Sequence, residues 1–186
     1  MKKNQSSPFP RRNFIKQAGA ALSSFIIVPR FVLGGKKPDG SAYTAPSDLI
    51  TLGFIGTGKQ GRGLTNTFLG TGEVRIVALS EVYQAKAQLT LDRIKAYYDK
   101  NPQQGTHTGV QVYPDFRALL AHKDIDAVVI ATPDHWHAAM AVRAAEAGKD
   151  IYCEKPLSLT VKEGRAMVTA ARKYHRVFQT GSMQRS

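Results

Sequence analysis

One cysteine, Cys153, stands in 186 residues. No disulfide framework can hold such a chain, and an exported domain of this size needs none. The flanks of Cys153 make it a packing residue at a buried strand end. Long apolar runs are scarce: near the N-terminus Ala18–Val28 spans 11 residues before Pro29-Arg30 breaks it, against the roughly 20 a helix needs to cross a bilayer. Acidic side chains are missing from residues 1–35, which hold Lys2, Lys3, Arg11, Arg12, Lys16 and Arg30. That segment carries half of the net charge of +12, and the rest is spread over 20 basic and 14 acidic side chains. With no basic run and no aromatic-interleaved patch, nothing beyond charge supports nucleic-acid binding, and the excess reads as solvated surface.

The acid-free N-terminus has another explanation. A basic stretch followed by a short apolar run is the pattern of an export signal, and Arg11-Arg12-Asn13-Phe14-Ile15-Lys16 resembles the twin-arginine export motif. No A-x-A cleavage site is visible. Residues 1–35 are therefore expected to be a signal recognised by the twin-arginine machinery, with a periplasmic destination. That route carries folded proteins, which suits a domain that must acquire its cofactor before leaving. Gly34 to Ser47, rich in Gly, Pro, Ser and Lys, reads as a linker, so the segmentation expected is signal 1–35, linker 36–48, a folded domain 49–181 and a further segment from 182.

Gly56-Thr57-Gly58-Lys59-Gln60-Gly61 is the most informative motif. The apolar run Leu49–Ile55 before it predicts a buried strand, a helix is predicted after it, and Glu81 follows Gly61 by 20 residues at the end of a second strand-like run. The first glycine allows a tight turn, the second a close backbone approach to a pyrophosphate, and the third close packing of helix on strand. The helix start adds free N–H groups and positive dipole. Residues 56–61 and Glu81 are accordingly candidate dinucleotide ligands.

Strands and helices alternate from there to the end. Strands are predicted at about 49–55, 74–80, 110–113, 126–131, 150–153 and 176–180. Between them lie helices at about 60–70, after Glu81 with Ala87, Leu91, Ile94 and Tyr98 on one face, at 115–122, and at 136–148 with Trp136, Met140, Ala144 and Ala147 on one face. A last helix is opened by the capping box Thr160–Glu163, with Val161, Val168 and Ala171 inward. Six strands with helical crossovers predict an α/β fold, a doubly wound parallel Rossmann sheet. Ligands of such sheets sit at the strands' carboxyl ends, where Gly56, Glu81, Thr132, Lys155 and Gln184 all fall.

Glu81 also selects the cofactor. A carboxylate there accepts hydrogen bonds from ribose hydroxyls and repels a 2′-phosphate, and Val82-Tyr83-Gln84 supplies no arginine to hold one. NAD is expected over NADP, with Lys86 the nearby complication. His135 and His137, two apart and with no third ligand apparent, are not expected to bind a metal.

Four motifs together carry a family resemblance: the glycine turn, Ala131-Thr132-Pro133-Asp134-His135-Trp136-His137, Glu154-Lys155-Pro156, and Gly181-Ser182-Met183-Gln184-Arg185-Ser186. From about residue 49 onward the chain resembles the Gfo/Idh/MocA oxidoreductases, which include glucose–fructose oxidoreductase and inositol dehydrogenase. The resemblance implies that Lys155 is the catalytic residue, beside the nicotinamide and the reacting hydroxyl. Desolvation at the crevice floor would depress its pKa, and Pro156, often cis in the family, would aim it. Thr132, Pro133 and His137 would line the nicotinamide-side ribose, and Glu154 and Gln184 would complete the cofactor site.

Members of that family carry a second α/β domain after the sixth strand, which holds most sugar-binding residues and governs oligomerisation. The chain reaches only to Ser186, so alone it is expected to bind NAD and turn over little, as a truncated gene product or a fragment. Three functions follow from the resemblance: an oxidoreductase acting on a sugar or polyol; an NAD-dependent glycosidase of the α-N-acetylgalactosaminidase kind, which retains its cofactor; or a non-catalytic nucleotide-binding fragment.

Overall fold

The computed structural model of the chain describes residues 35–36, 42–43, 48–102 and 109–182. Residues 1–34 of the expected export signal and Gln184 lie outside them. Two compact units divide at Ala45 and Pro46. In the first, strands β1 (Gly35–Lys36) and β2 (Ala42–Tyr43) pair antiparallel, Gly35 opposite Tyr43.

The second unit is the predicted α/β sheet. Its strands are β3 (Ile50–Ile55), β4 (Val74–Ser80), β5 (Gln111–Tyr113), β6 (Ala127–Ile130), β7 (Asp150–Cys153) and β8 (Phe178–Thr180). All six are parallel, in the order β5-β4-β3-β6-β7-β8. The order reverses between β3 and β6, which opens a crevice at their carboxyl ends.

Alternation along the central strands explains why both faces are covered. Leu52, Phe54 and Val129 point to one side, where they meet Leu69, Ile94 and Tyr98 of helices α1 (Lys59–Gly70) and α2 (Gln84–Lys100). Ile55, Val128 and Ile130 point to the other, against helices α3 (Phe116–Leu120), α4 (His137–Glu146) and α5 (Val161–Lys173). A side chain as large as the fully buried Phe54 is worth about 1.5–3 kcal/mol when taken out of water, so a strand buried on both faces needs its apolar residues in an unbroken run. Cys153 is buried in the second of these cores, as its strand-end position implied.

Three helix faces differ from expectation. In α5 the buried residues are Met167 and Ala170, whereas Val161 is 84% and Val168 38% exposed. The capping box itself is present: Thr160 Oγ1 accepts from Glu163 N at 3.2 Å and Glu163 Oε2 from Thr160 N at 3.0 Å. In α4 the buried face is His137, Ala138, Met140, Ala141, Ala144 and Ala145. Trp136 belongs to a preceding 3₁₀ turn, Asp134–Trp136, whose tighter winding turns the indole away from the α-helical face, and Ala147 falls past the helix end. In α2, Thr90 is buried where Leu91 was expected, and Leu91 is half-buried beside it.

Candidate functional site

A cleft of about 750 Å³ opens at the carboxyl ends of β3, β4 and β6. One wall is the glycine turn. Gly56 has φ +88°, and a Cβ there would lie 2.8 Å from the Ala131 carbonyl and from Thr132 Cγ2, so neither the backbone angle nor the space admits a side chain. A Cβ on Gly61 would run into Gly56 O; its absence seats α1 against the strand. Gly58 differs, because nothing lies within 4 Å of where its Cβ would be. That free volume belongs to the cleft.

Gly58 is also the N-cap of α1, with no side-chain cap and no acid in the first turn. The helix start thus presents N–H groups and positive dipole to whatever enters, which suits a phosphate. Lys59 and Gln60 flank it on the cleft wall.

Glu81 closes the far end. Its Oε2 accepts from Thr57 N at 2.9 Å and Thr57 Oγ1 at 3.1 Å, and its Oε1 from Tyr83 N at 3.0 Å. Burial alone would push this carboxyl up. The hydrogen bonds from the Thr57 and Tyr83 backbones and the Thr57 hydroxyl, with the charge of Lys86, outweigh it and hold the pKa below the ordinary value. A carboxylate offers about four acceptor positions, so lone pairs remain for ribose hydroxyls. Thr57, by contrast, is fully buried; it supports Glu81 rather than lining the cleft.

One contributor was not foreseen. The loop after β5 brings Pro114, Asp115, Phe116 and Arg117 to the same cleft as Glu81. The signal was available, since that loop also leaves a strand's carboxyl end, but the basic residue comes from a crossover distant in sequence from Glu81. Arg117 is held by Asp115 Oδ1 at 3.2 Å.

The other end of the cleft runs past Ala131, Thr132 and Pro133. There Gln60, Ala131 and Thr132 also border a second hollow of about 200 Å³ that reaches Glu154 and Lys155. The Lys155–Pro156 peptide is cis. The Lys155 side chain is exposed, not sunk in the crevice floor that the resemblance suggested; desolvation of its ammonium has to come from a bound partner. Glu154 is 4% exposed and faces inward, accepting from Gln60 Nε2 at 3.0 Å, Tyr152 Oη at 3.3 Å and Lys155 N at 3.1 Å. His137 is buried as well, both ring nitrogens against backbone carbonyls, whereas His135 is exposed beside Asp134.

Of the expected site residues, then, Gly56, Gly58, Lys59, Gln60, Glu81, Thr132, Pro133, Glu154 and Lys155 border the two hollows, and Thr57, Gly61 and His137 stand behind them. Open space at Gly58, an uncapped helix start and a pre-bonded carboxylate fit a dinucleotide's pyrophosphate and ribose.

Comparison with known proteins agrees with this geometry. Residues 50–182 match the family model of the Gfo/Idh/MocA oxidoreductases, described as an oxidoreductase family with an NAD-binding Rossmann fold. A glycosyl hydrolase family 109 protein of Shewanella baltica is 33% identical over 176 residues, covering 88% of this chain and 37% of the relative. An α-N-acetylgalactosaminidase of Shewanella oneidensis is 31% identical over 174 residues, with the same two coverages. Among solved structures, a putative myo-inositol dehydrogenase of Sinorhizobium meliloti superposes with a TM-score of 0.60 at 31% identity, over 71% of this chain and 36% of that one. The chain spans little more than a third of the length of these relatives. It belongs to the Gfo/Idh/MocA oxidoreductase family and has that family's NAD-binding Rossmann fold.

Proposed function

We propose that this chain holds NAD for hydride transfer at a carbinol carbon of a sugar or polyol. The observation that carries the reading is the adjacency of the two hollows: the cleft over Gly58 and the hollow that ends at Lys155 share Gln60, Ala131 and Thr132 as walls. Glu81 would take the adenosine-side ribose and the first turn of α1 the pyrophosphate. Thr132, Pro133 and Glu154 would border the nicotinamide end, as would Gln184, which lies outside the described residues. Bound NAD supplies a reversible hydride acceptor. Lys155, at the open end, would orient the substrate hydroxyl and take its proton; a partner that excludes water would have to complete the pocket. NAD is favoured over NADP because the carboxylate of Glu81, on the cleft wall, would repel a 2′-phosphate.

A second reading is favoured by the names of the curated relatives. A glycosidase that oxidises a sugar transiently, cleaves the glycosidic bond and reduces again uses the same hydride step and keeps its cofactor. That economy suits an exported protein, and the twin-arginine-like Arg11-Arg12 segment supports export to the periplasm. In a full-length relative, aglycone release without net NADH identifies the glycosidase, and stoichiometric NADH the dehydrogenase. A fusion of residues 1–35 to a reporter, with Arg11 and Arg12 replaced by lysine as control, tests the route.

The cofactor reading is tested by titrating the chain with NAD and following the single tryptophan, Trp136, which is 46% exposed on the cleft. Saturable binding that Glu81→Ala weakens is the expected result; folded protein that does not respond to NAD in fluorescence or calorimetry overturns it.

A further inference from the structure

His137 opens α4 and is 1% exposed. Its Nδ1 lies 2.7 Å from Pro156 O and its Nε2 2.9 Å from Thr132 O. The two carbonyls belong to different turns, one leaving the end of β6 and the other the end of β7. Thr132 and Lys155, the residue before Pro156, are two walls of the hollow of about 200 Å³ beside the glycine turn. The imidazole therefore lies between the two turns, against the backbone of one wall, Thr132, and of Pro156, the neighbour of the other wall, Lys155. A neutral ring carries one N–H, so in either neutral tautomer one contact is an N–H···O bond, and both are when the ring holds two protons. At such burial water does not replace the ring, and removing it leaves at least one of the two carbonyls without its donor.

We propose that His137 is a positioning residue: it ties the Thr132–Pro133 turn to the Lys155–Pro156 turn and so fixes the width of the pocket that receives the nicotinamide end of NAD. The proposal rests on the reading of the cleft as the NAD site and adds how one end of it is held. It also separates His137 from the groups that touch the cofactor, since its ring faces neither hollow. A histidine that served only the core would have at most one partner on the ligand side. Here both acceptors lie there, on segments whose separation decides the shape of the site.

The test uses the full chain and two probes, NAD and ADP, the second lacking the nicotinamide riboside. Asparagine sets its amide nitrogen near the place of Nδ1 and glutamine near that of Nε2, so His137→Asn and His137→Gln each keep one end of the bridge, whereas His137→Ala keeps neither. Whichever of the Asn and Gln variants gives up the N–H···O bond weakens NAD binding by about tenfold, with ADP binding within about twofold of wild type. The Ala variant loses more NAD affinity than either. Equal weakening of NAD and ADP, or unchanged NAD binding in the Asn and Gln variants, overturns the proposal. A wild-type chain that binds NAD no more tightly than ADP overturns it while leaving the NAD site in place, and one that binds neither overturns both.

Discussion

Gln60 Nε2 donates to Glu154 Oε1 across 3.0 Å, so the first turn of the glycine-loop helix is tied to the residue that precedes Lys155. The two residues are 94 positions apart in sequence, and the bond joins the helix start beside the cleft to the hollow that ends at Lys155. Glu154 is the buried partner and Gln60 the exposed one, which makes their truncations unequal. Glu154→Ala leaves Lys155 N–H and Tyr152 Oη without this acceptor and should cost about 1–3 kcal/mol. Gln60→Ala, from which water can take over, should cost under about 1 kcal/mol. Urea unfolding of both variants checks the order, and a Gln60 variant as destabilised as the Glu154 variant would refute it.

The glycines of the turn should separate binding from stability. Gly58→Ala adds a methyl group to open cleft volume; it should leave the melting temperature nearly unchanged and weaken NAD by about tenfold or more, a loss of about 1.4 kcal/mol. Gly61→Ala drives a methyl group into Gly56 O and should destabilise by about 1–3 kcal/mol through overpacking. Calorimetric titration and thermal melts on the pair tell the two roles apart.

Acid should unfold the protein partly through Glu81. Its folded pKa is lowered from 4.5, so the stabilisation it provides is fully present above about 4.5 and is lost as pH falls through the lowered folded value. In Glu81→Gln that contribution is absent at every pH, and the fall of stability below pH 4.5 should be shallower than in wild type. Denaturant midpoints measured from pH 3 to 7 decide it; parallel curves for the two proteins would contradict the assignment.

Cys153 should be chemically silent in the folded chain. Burial, and secondarily the charge of Glu154, push its thiol up to about 12, so at pH 8 almost no thiolate exists to react. Ellman's reagent should label less than one tenth of the protein over the time in which urea-unfolded chains label fully. Fast labelling under native conditions would show that the end of β7 opens.

Much of this architecture was legible because its signals are local. The central strands of the sheet are apolar runs between turn residues, and the crossovers then dictate parallel order and a crevice at the strands' carboxyl ends. Facing was harder. In α5 the pairs Val161/Val168 and Met167/Ala170 both repeat at helical spacing, about 140° apart around the axis, and periodicity cannot choose between two apolar stripes; packing against α4 chose the second. Trp136 misled for a related reason, because a 3₁₀ turn and an α-helix share residue types but not winding. At the site, the glycines and Glu81 could be read because their roles are set by backbone geometry. The inward turn of Glu154 and His137 could not, since their partners, Gln60, Thr132 O and Pro156 O, are brought near only by the folded sheet. Arg117 follows β5, a strand legible in the sequence; what was not legible is that β5 pairs with β4 and so sets its crossover beside Glu81.

The hydrogen bonds that hold Glu81 have a thermodynamic consequence. Its three donors are in place before any ligand arrives, and no side chain blocks the volume above Gly58. Little of the chain has to order itself as the cofactor docks. Association should therefore carry a heat-capacity change set by the ligand's own buried surface, far smaller than that of a segment folding around its partner.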